Sequence, residues 1–208
     1  MPDDRDTQRQ IKELLRGKLV GGKVLLQDCK LIDENSRKSP AYSDPLYAPF
    51  YYHLGKFVSP RTVLTVGFTL GLLERCFFES CRTVERFAAM RVRDPDVYYS
   101  PRMGLYNVRR SYKKPVEYFE GTLKDDSGMS AVSSEKWGVV FLFEESRYDD
   151  ALFSMETLWS HVEQGGAMVV ENVEDLKPVK RAFHAFADSV GRNPNVFSTR
   201  YGTGVLYR

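Results

Sequence analysis

The sequence predicts an α/β domain whose sheet is mostly parallel and covered by helices on both faces. Three observations carry this expectation. From residue 61 onward, short runs rich in β-branched and aromatic residues alternate with single amphipathic segments of helix length, and parallel neighbours need such crossovers. Two of the runs, VVFLF (139 to 143) and MVV (168 to 170), are continuously apolar, as strands buried on both sides are. The chain has 208 residues, 42% hydrophobic and 13% aromatic, enough to bury a core without disulfides or metal.

In chain order, Asp6 to Lys18 carries Ile11, Leu14 and Leu15 at helical spacing and stops at Gly21-Gly22, which predicts a short amphipathic helix. A short strand over 23 to 32 and a polar loop over 33 to 44 follow. Residues 1–44 thus form an N-terminal appendage, whose narrow apolar stripe packs on its own domain or offers a contact to a partner or a second copy. Residues 45–208 form the α/β domain. PLYAPFYYHLGKFV (45 to 58) reads as a helix despite Pro49, with Leu46, Phe50, Leu54 and Phe57 on one face, and Ser59-Pro60 ends it. Strands are expected over 61 to 68, 84 to 92, 116 to 123, 137 to 143 and 167 to 173. Helices are expected over 70 to 80, 101 to 112, 149 to 164 and 178 to 190, with Phe77, Leu158, Trp159, Phe183 and Phe186 facing the sheet. NVFSTR and GVLYR, joined by Tyr201-Gly202-Thr203-Gly204, close the chain as an antiparallel hairpin.

Composition excludes several classes. The formal charge is +2 with both signs interspersed, which argues against a nucleic-acid partner. The basic concentration of Arg102, Arg109, Arg110, Lys113 and Lys114 reads as a solvated helix face or, second, as a phosphate- or substrate-facing patch. Cys29, Cys76 and Cys81 lack any CxxC spacing, so neither a disulfide framework nor a zinc site is suggested. No apolar run reaches membrane-spanning length, and PDDRDTQRQ after Met1 is polar where a signal peptide would be basic and then apolar. A soluble, cytoplasmic protein with no membrane partner is expected. Nucleophile elbows of the GxSxG kind are absent.

Ligands of parallel sheets bind outside the carboxyl ends of the strands. There VLTVGFTLG (63 to 71) runs an apolar strand into a turn bracketed by Gly67 and Gly71, where backbone N–H groups can approach a ligand. This stretch resembles the first motif of class I S-adenosylmethionine-dependent methyltransferases. FLFEESRYDDALFSMETLWSHVEQGGAMVVENV (141 to 173) is similar to the fourth strand, helix and fifth strand of that superfamily. Within it Tyr148, Trp159, Gly165-Gly166 and Val169-Val170 match small-molecule O-methyltransferase-like and cephalosporin-hydroxylase-like members. GTGVLYR resembles the last strand. The resemblance implies a Rossmann-like, mostly parallel sheet with helices on both faces and a C-terminal antiparallel hairpin. It implies S-adenosylmethionine as cofactor and a small molecule or sugar as substrate. Gly67, Phe68, Thr69 and Gly71 would lie against the methionine portion, and Met90, Gly121 and Thr122 at the ends of the next strands. Glu145, Glu171 and His53 are the candidate bases for an acceptor hydroxyl.

Departures from the pattern matter as much. Thr65 stands where members carry an acid two positions before the first glycine. Ala89-Met90-Arg91-Val92 stands where an acid accepts from the ribose hydroxyls. Two charge-assisted hydrogen bonds of about 1.5–3 kcal/mol each would be missing, weakening cofactor binding by roughly two to four powers of ten. Glu145, Glu171 and Asn172 offer oxygen ligands of the kind a hard cation takes. Phe143 replaces the first acid of metal-dependent relatives, however, and Glu144 and Glu145 also suit the start of the helix near Asp149, so no divalent metal is expected. Two readings stay open: a methyltransferase, or a protein of methyltransferase fold that has lost catalysis and serves as a binding or assembly module.

Overall fold

The computed structural model describes residues 46–91, 101–143 and 146–208. The expected elements of the N-terminal appendage lie outside the described residues, as do Glu144 and Glu145. The described elements are α1 (Tyr47–Val58), β1 (Thr62–Val66), α2 (Leu72–Ser80), β2 (Arg86–Arg91), α3 (Pro101–Val108), β3 (Val116–Glu120) and α4 (Asp126–Ser133). They continue with β4 (Trp137–Leu142), α5 (Tyr148–Trp159), β5 (Val162–Val170), α6 (Lys177–Ser189), β6 (Asn195–Phe197) and β7 (Thr203–Tyr207).

The seven strands form one sheet in the order β3-β2-β1-β4-β5-β7-β6. The first five are parallel, and β7 runs antiparallel to both β5 and β6. Val63 to Val66 and Val139 to Leu142 sit at the centre, essentially without solvent contact. Side chains alternate between two cores. Val63, Phe87, Ala89, Val139, Phe141 and Val169 meet α1, α2 and α3 on one face; Leu64, Val66, Ala88, Val140, Leu142 and Met168 meet α4, α5 and α6 on the other. That period of two, with both sides apolar, is what the strand compositions predict.

Pro49 is tolerated because it occupies the first turn of α1, where backbone N–H groups have no intrahelical acceptor. The helix ends at Ser59 in left-handed conformation, its N–H donating to the carbonyl of Gly55 at 3.1 Å. On α6, Val179, Ala182, Phe183, Phe186 and Ala187 are buried, the i, i+3, i+4, i+7, i+8 stripe of a helix covering a sheet.

Three expectations are corrected. The segment 149 to 164 is not all helix: α5 stops at Trp159, and β5 already begins at Val162 with an irregular register against Trp137 and Val139. A helix absent from the sequence reading, α4, is capped by Asp125, whose carboxylate accepts from the Gly128 N–H at 2.7 Å. Phe77, Leu158, Phe183 and Phe186 are buried as expected, but Trp159 is only partly buried and meets Phe186 edge-on at 5.7 Å. The fully buried tryptophan is Trp137 at the start of β4, its indole N–H donating to the Val132 carbonyl at 2.9 Å. Arg86 lies 5.0 Å above its ring and pairs with Glu117 and Glu135, closing the amino-terminal edge of the sheet.

Candidate functional site

The strand order reverses at β1: β2 and β3 lie to one side, β4 and β5 to the other. An open parallel sheet offers its ligand crevice at such a switch point, outside the carboxyl ends. The turn Gly67-Phe68-Thr69-Leu70-Gly71 stands there, between β1 and α2. Gly67 and Gly71 have φ of +89° and +65°, a region that favours glycine. Close approach adds a second reason. A Cβ on Gly67 would lie 2.5 Å from the Phe143 carbonyl oxygen, and one on Gly71 would lie 2.7 Å from that of Gly104. The glycines therefore let β1 meet the end of β4 and let α3 sit on the turn. The N–H groups of Gly67 and Phe68 both donate to the Met90 carbonyl, at 2.9 and 3.0 Å, and the Asn107 side chain donates to the Leu70 carbonyl at 2.9 Å. Gly104 and Asn107 escaped the sequence reading; a lone glycine inside a helical segment was the signal that something packs closely there.

Around this turn, Phe68 and Met90 are both core residues, 1% and 0% exposed. Phe68 meets Phe87 and Tyr118 edge-on. Phe143 is partly buried and stacks on Phe141 at 5.7 Å. Thr69 keeps partial exposure. Thr65, level with Ala89 and Phe141 on the neighbouring strands, is fully buried, and its hydroxyl has no hydrogen-bond partner among the described residues. A buried polar atom so placed leaves about 1–3 kcal/mol unmet unless something else bonds to it. At the end of β3, Gly121 is buried, and the Thr122 hydroxyl and N–H both bond to Asp125, which holds this loop to the start of α4.

Glu171, one residue past β5, is 5% exposed. It accepts from Tyr47 at 2.6 Å, from Tyr51, and from Thr203 on β7 at 2.7 Å, and Thr203 is bonded to Thr199. Burial pushes its carboxyl above the ordinary carboxylate range, against the pull of the three hydroxyls. Burial, then the charge of Glu171, push the Tyr51 phenol well up, with Tyr47 and buried Glu74 adding to this. Tyr51 thus remains a donor. Tyr47 and Tyr51 are four residues apart, hence on one helix face, a pattern visible in PLYAPFYY but not assigned a target. His53 lies on the same helix with both ring nitrogens buried and without a hydrogen-bond partner among the described residues. Burial, and secondarily Lys56, lower its basicity, so it is neutral at pH 7. Its neighbour in spacing is Phe57, which packs on Tyr207. His53 and Glu171 are not brought into contact. Among the described residues no three His, Cys, Asp or Glu gather as a cation would require, and no helix is long and apolar enough to cross a membrane.

No family model matches the sequence and no curated protein matches it. Solved structures do match. A Bacillus cereus O-methyltransferase in complex with SAH aligns with a TM-score of 0.63 at 12% identity, over 98% of this chain and 97% of that one. A Podospora anserina methyltransferase bound to SAH aligns at 0.61 and 12% identity, over 100% and 97%. The O-methyltransferase TomG of Streptomyces achromogenes, involved in tomaymycin synthesis and in complex with SAM, aligns at 0.62 and 11% identity, over 100% and 98%. Together with the strand order, these place the chain in the Rossmann-like methyltransferase fold.

Proposed function

We propose that this chain is an S-adenosylmethionine-dependent methyltransferase acting on a hydroxyl of a small molecule or sugar. The observation that carries the reading is the strand order β3-β2-β1-β4-β5-β7-β6 with a glycine turn at its switch point. The neighbours in fold that hold SAH or SAM support it. Gly67, Phe68, Thr69 and Gly71 would face the methionine portion; Met90, Gly121 and Thr122 would line the nucleoside side. The unpartnered, buried Thr65 hydroxyl suits a polar group of the ligand or a water held by it, where a carboxylate is missing.

When bound, the cofactor supplies an electrophilic methyl group; the protein's task is then mainly alignment and exclusion of water. A proton acceptor for the acceptor hydroxyl is sought among Glu145, Glu171 and His53. Glu171 already accepts from three hydroxyls, which leaves one of its roughly four lone-pair sites for a substrate hydroxyl. His53 has the neutral, proton-accepting form at pH 7.

One observation favours the second reading, a fold that has lost catalysis: Phe68 and Met90 are packed into the core, and both glycines are explained by contacts within the chain. Thermal melting separates the two. S-adenosylhomocysteine at one hundred times its dissociation constant adds about 2.7 kcal/mol, roughly 5–10 °C for a chain of this size. An unchanged melting temperature at millimolar ligand sinks the enzyme reading.

A further inference from the structure

A carboxylate is the natural acceptor for a ribose diol, because both hydroxyls can donate to it. The end of β2, where a nucleotide-binding sheet usually holds that acid, carries Arg91 instead. The register across the sheet shows where another stands. Thr65, Ala89 and Tyr118 are level on β1, β2 and β3. Two residues further along, and so on the same face, Arg91 is level with Glu120, and Gly67 reaches the same row, its N–H bonded to the Met90 carbonyl. The carboxyl-terminal edge thus presents the glycine turn, a guanidinium and a carboxylate side by side on one face. Among the described residues, Glu120 and Glu171 are the carboxylates closing the parallel strands. Glu171 is buried under three hydroxyls, whereas Glu120 is exposed.

Glu120 is also steadied. The Tyr118 hydroxyl donates to its Oε1 at 3.2 Å, and burial, then the nearby Glu120 charge, push the Tyr118 phenol up to about 12, so it remains a donor at any working pH. The Tyr118 ring also meets Phe68 of the glycine turn edge-on, 6.3 Å between centroids. Moving an acid from β2 to β3 displaces its root by about 4.8 Å. A glutamate recovers about 1.5 Å of this over an aspartate through its extra methylene.

We propose that Glu120, steadied by Tyr118 and flanked by Arg91, is the carboxylate that accepts the ribose hydroxyls of the cofactor, in place of an acid on β2. This rests on the methyltransferase reading. The test is calorimetric titration of the full chain and of Glu120→Gln with S-adenosylhomocysteine and with its 2′,3′-dideoxyribose analogue; melting curves without ligand confirm that the exposed substitution leaves the fold intact. The expected result is that Glu120→Gln weakens S-adenosylhomocysteine about ten- to a hundredfold, the loss of one charge-assisted hydrogen bond. The dideoxy analogue should bind both proteins nearly alike. Equal binding of S-adenosylhomocysteine to both proteins overturns the assignment and leaves the methyltransferase reading standing. So does an equal loss for both ligands, which would mark a general electrostatic effect. No binding by the unaltered chain overturns both.

Discussion

Tyr51 on α1 donates its hydroxyl proton to Oε1 of Glu171 at the end of β5, 120 positions later in the sequence. With Tyr47 and Thr203 donating to the same carboxylate, this contact fastens α1 to the middle of the sheet. Glu171→Ala would remove the carboxylate on which three hydroxyls converge and open a cavity. Urea unfolding at pH 7 should record a loss of about 3–5 kcal/mol. Tyr51→Phe should cost less, about 1–3 kcal/mol, since one bond to a charged group is removed.

The same carboxyl sets a pH dependence. Its folded pKa is raised by burial, so the folded chain holds this proton more tightly than the unfolded one, whose glutamate titrates near about 4.3. The contribution is fully present below that value and is lost as pH rises through the folded pKa. Stability of the native chain relative to Glu171→Gln should therefore fall as pH rises above about 4. A gap that widens with rising pH would show the three hydroxyls outweighing burial.

Gly204 on β7 and Phe183 on α6 touch without room to spare: a Cβ on Gly204 would lie 2.6 Å from the Phe183 ring. Gly204→Ala should destabilise by about 1–3 kcal/mol. Phe183→Leu should make that second change nearly free, and a double-mutant cycle in chemical unfolding reads the coupling directly.

Gly67→Ala meets both a positive φ and the Phe143 carbonyl, so it should lower stability by roughly 2–4 kcal/mol with no ligand present. Unfolding in ligand-free buffer checks this. A variant as stable as the native chain would mean that the turn relaxes and that its glycine answers to a ligand alone.

The strands were legible because burial on both faces writes itself into short apolar runs such as VVFLF. Pro49 did not mislead, since the first turn of a helix needs no N–H there. By contrast α4, DSGMSAVS, buries only Gly128 and Val132, too narrow a stripe for the helical period to show. Trp159 sits at the last turn of α5, at the rim of the helix layer, and spacing cannot tell rim from centre. The insertion of β7 between β5 and β6 is a non-local pairing that no local pattern encodes. At the site, the glycine turn was visible as a turn, but its packing against Phe143 and Gly104 was not. Glu171 is legible from its place at a strand end, but two of its partners, Tyr47 and Tyr51, lie on a helix more than a hundred residues away and the third, Thr203, on β7. Glu145, the other candidate near a strand end, lies outside the described residues.

The most direct test of the central claim is amide NMR of the labelled chain titrated with S-adenosylhomocysteine. Saturable shifts should cluster at Gly67 to Gly71, at Met90 and Arg91, and at Glu120 to Thr122. These are the carboxyl-terminal edges of β1, β2 and β3. An unchanged spectrum at millimolar ligand, or shifts confined to the opposite edge around Arg86 and Trp137, would contradict the assignment of this crevice to S-adenosylmethionine.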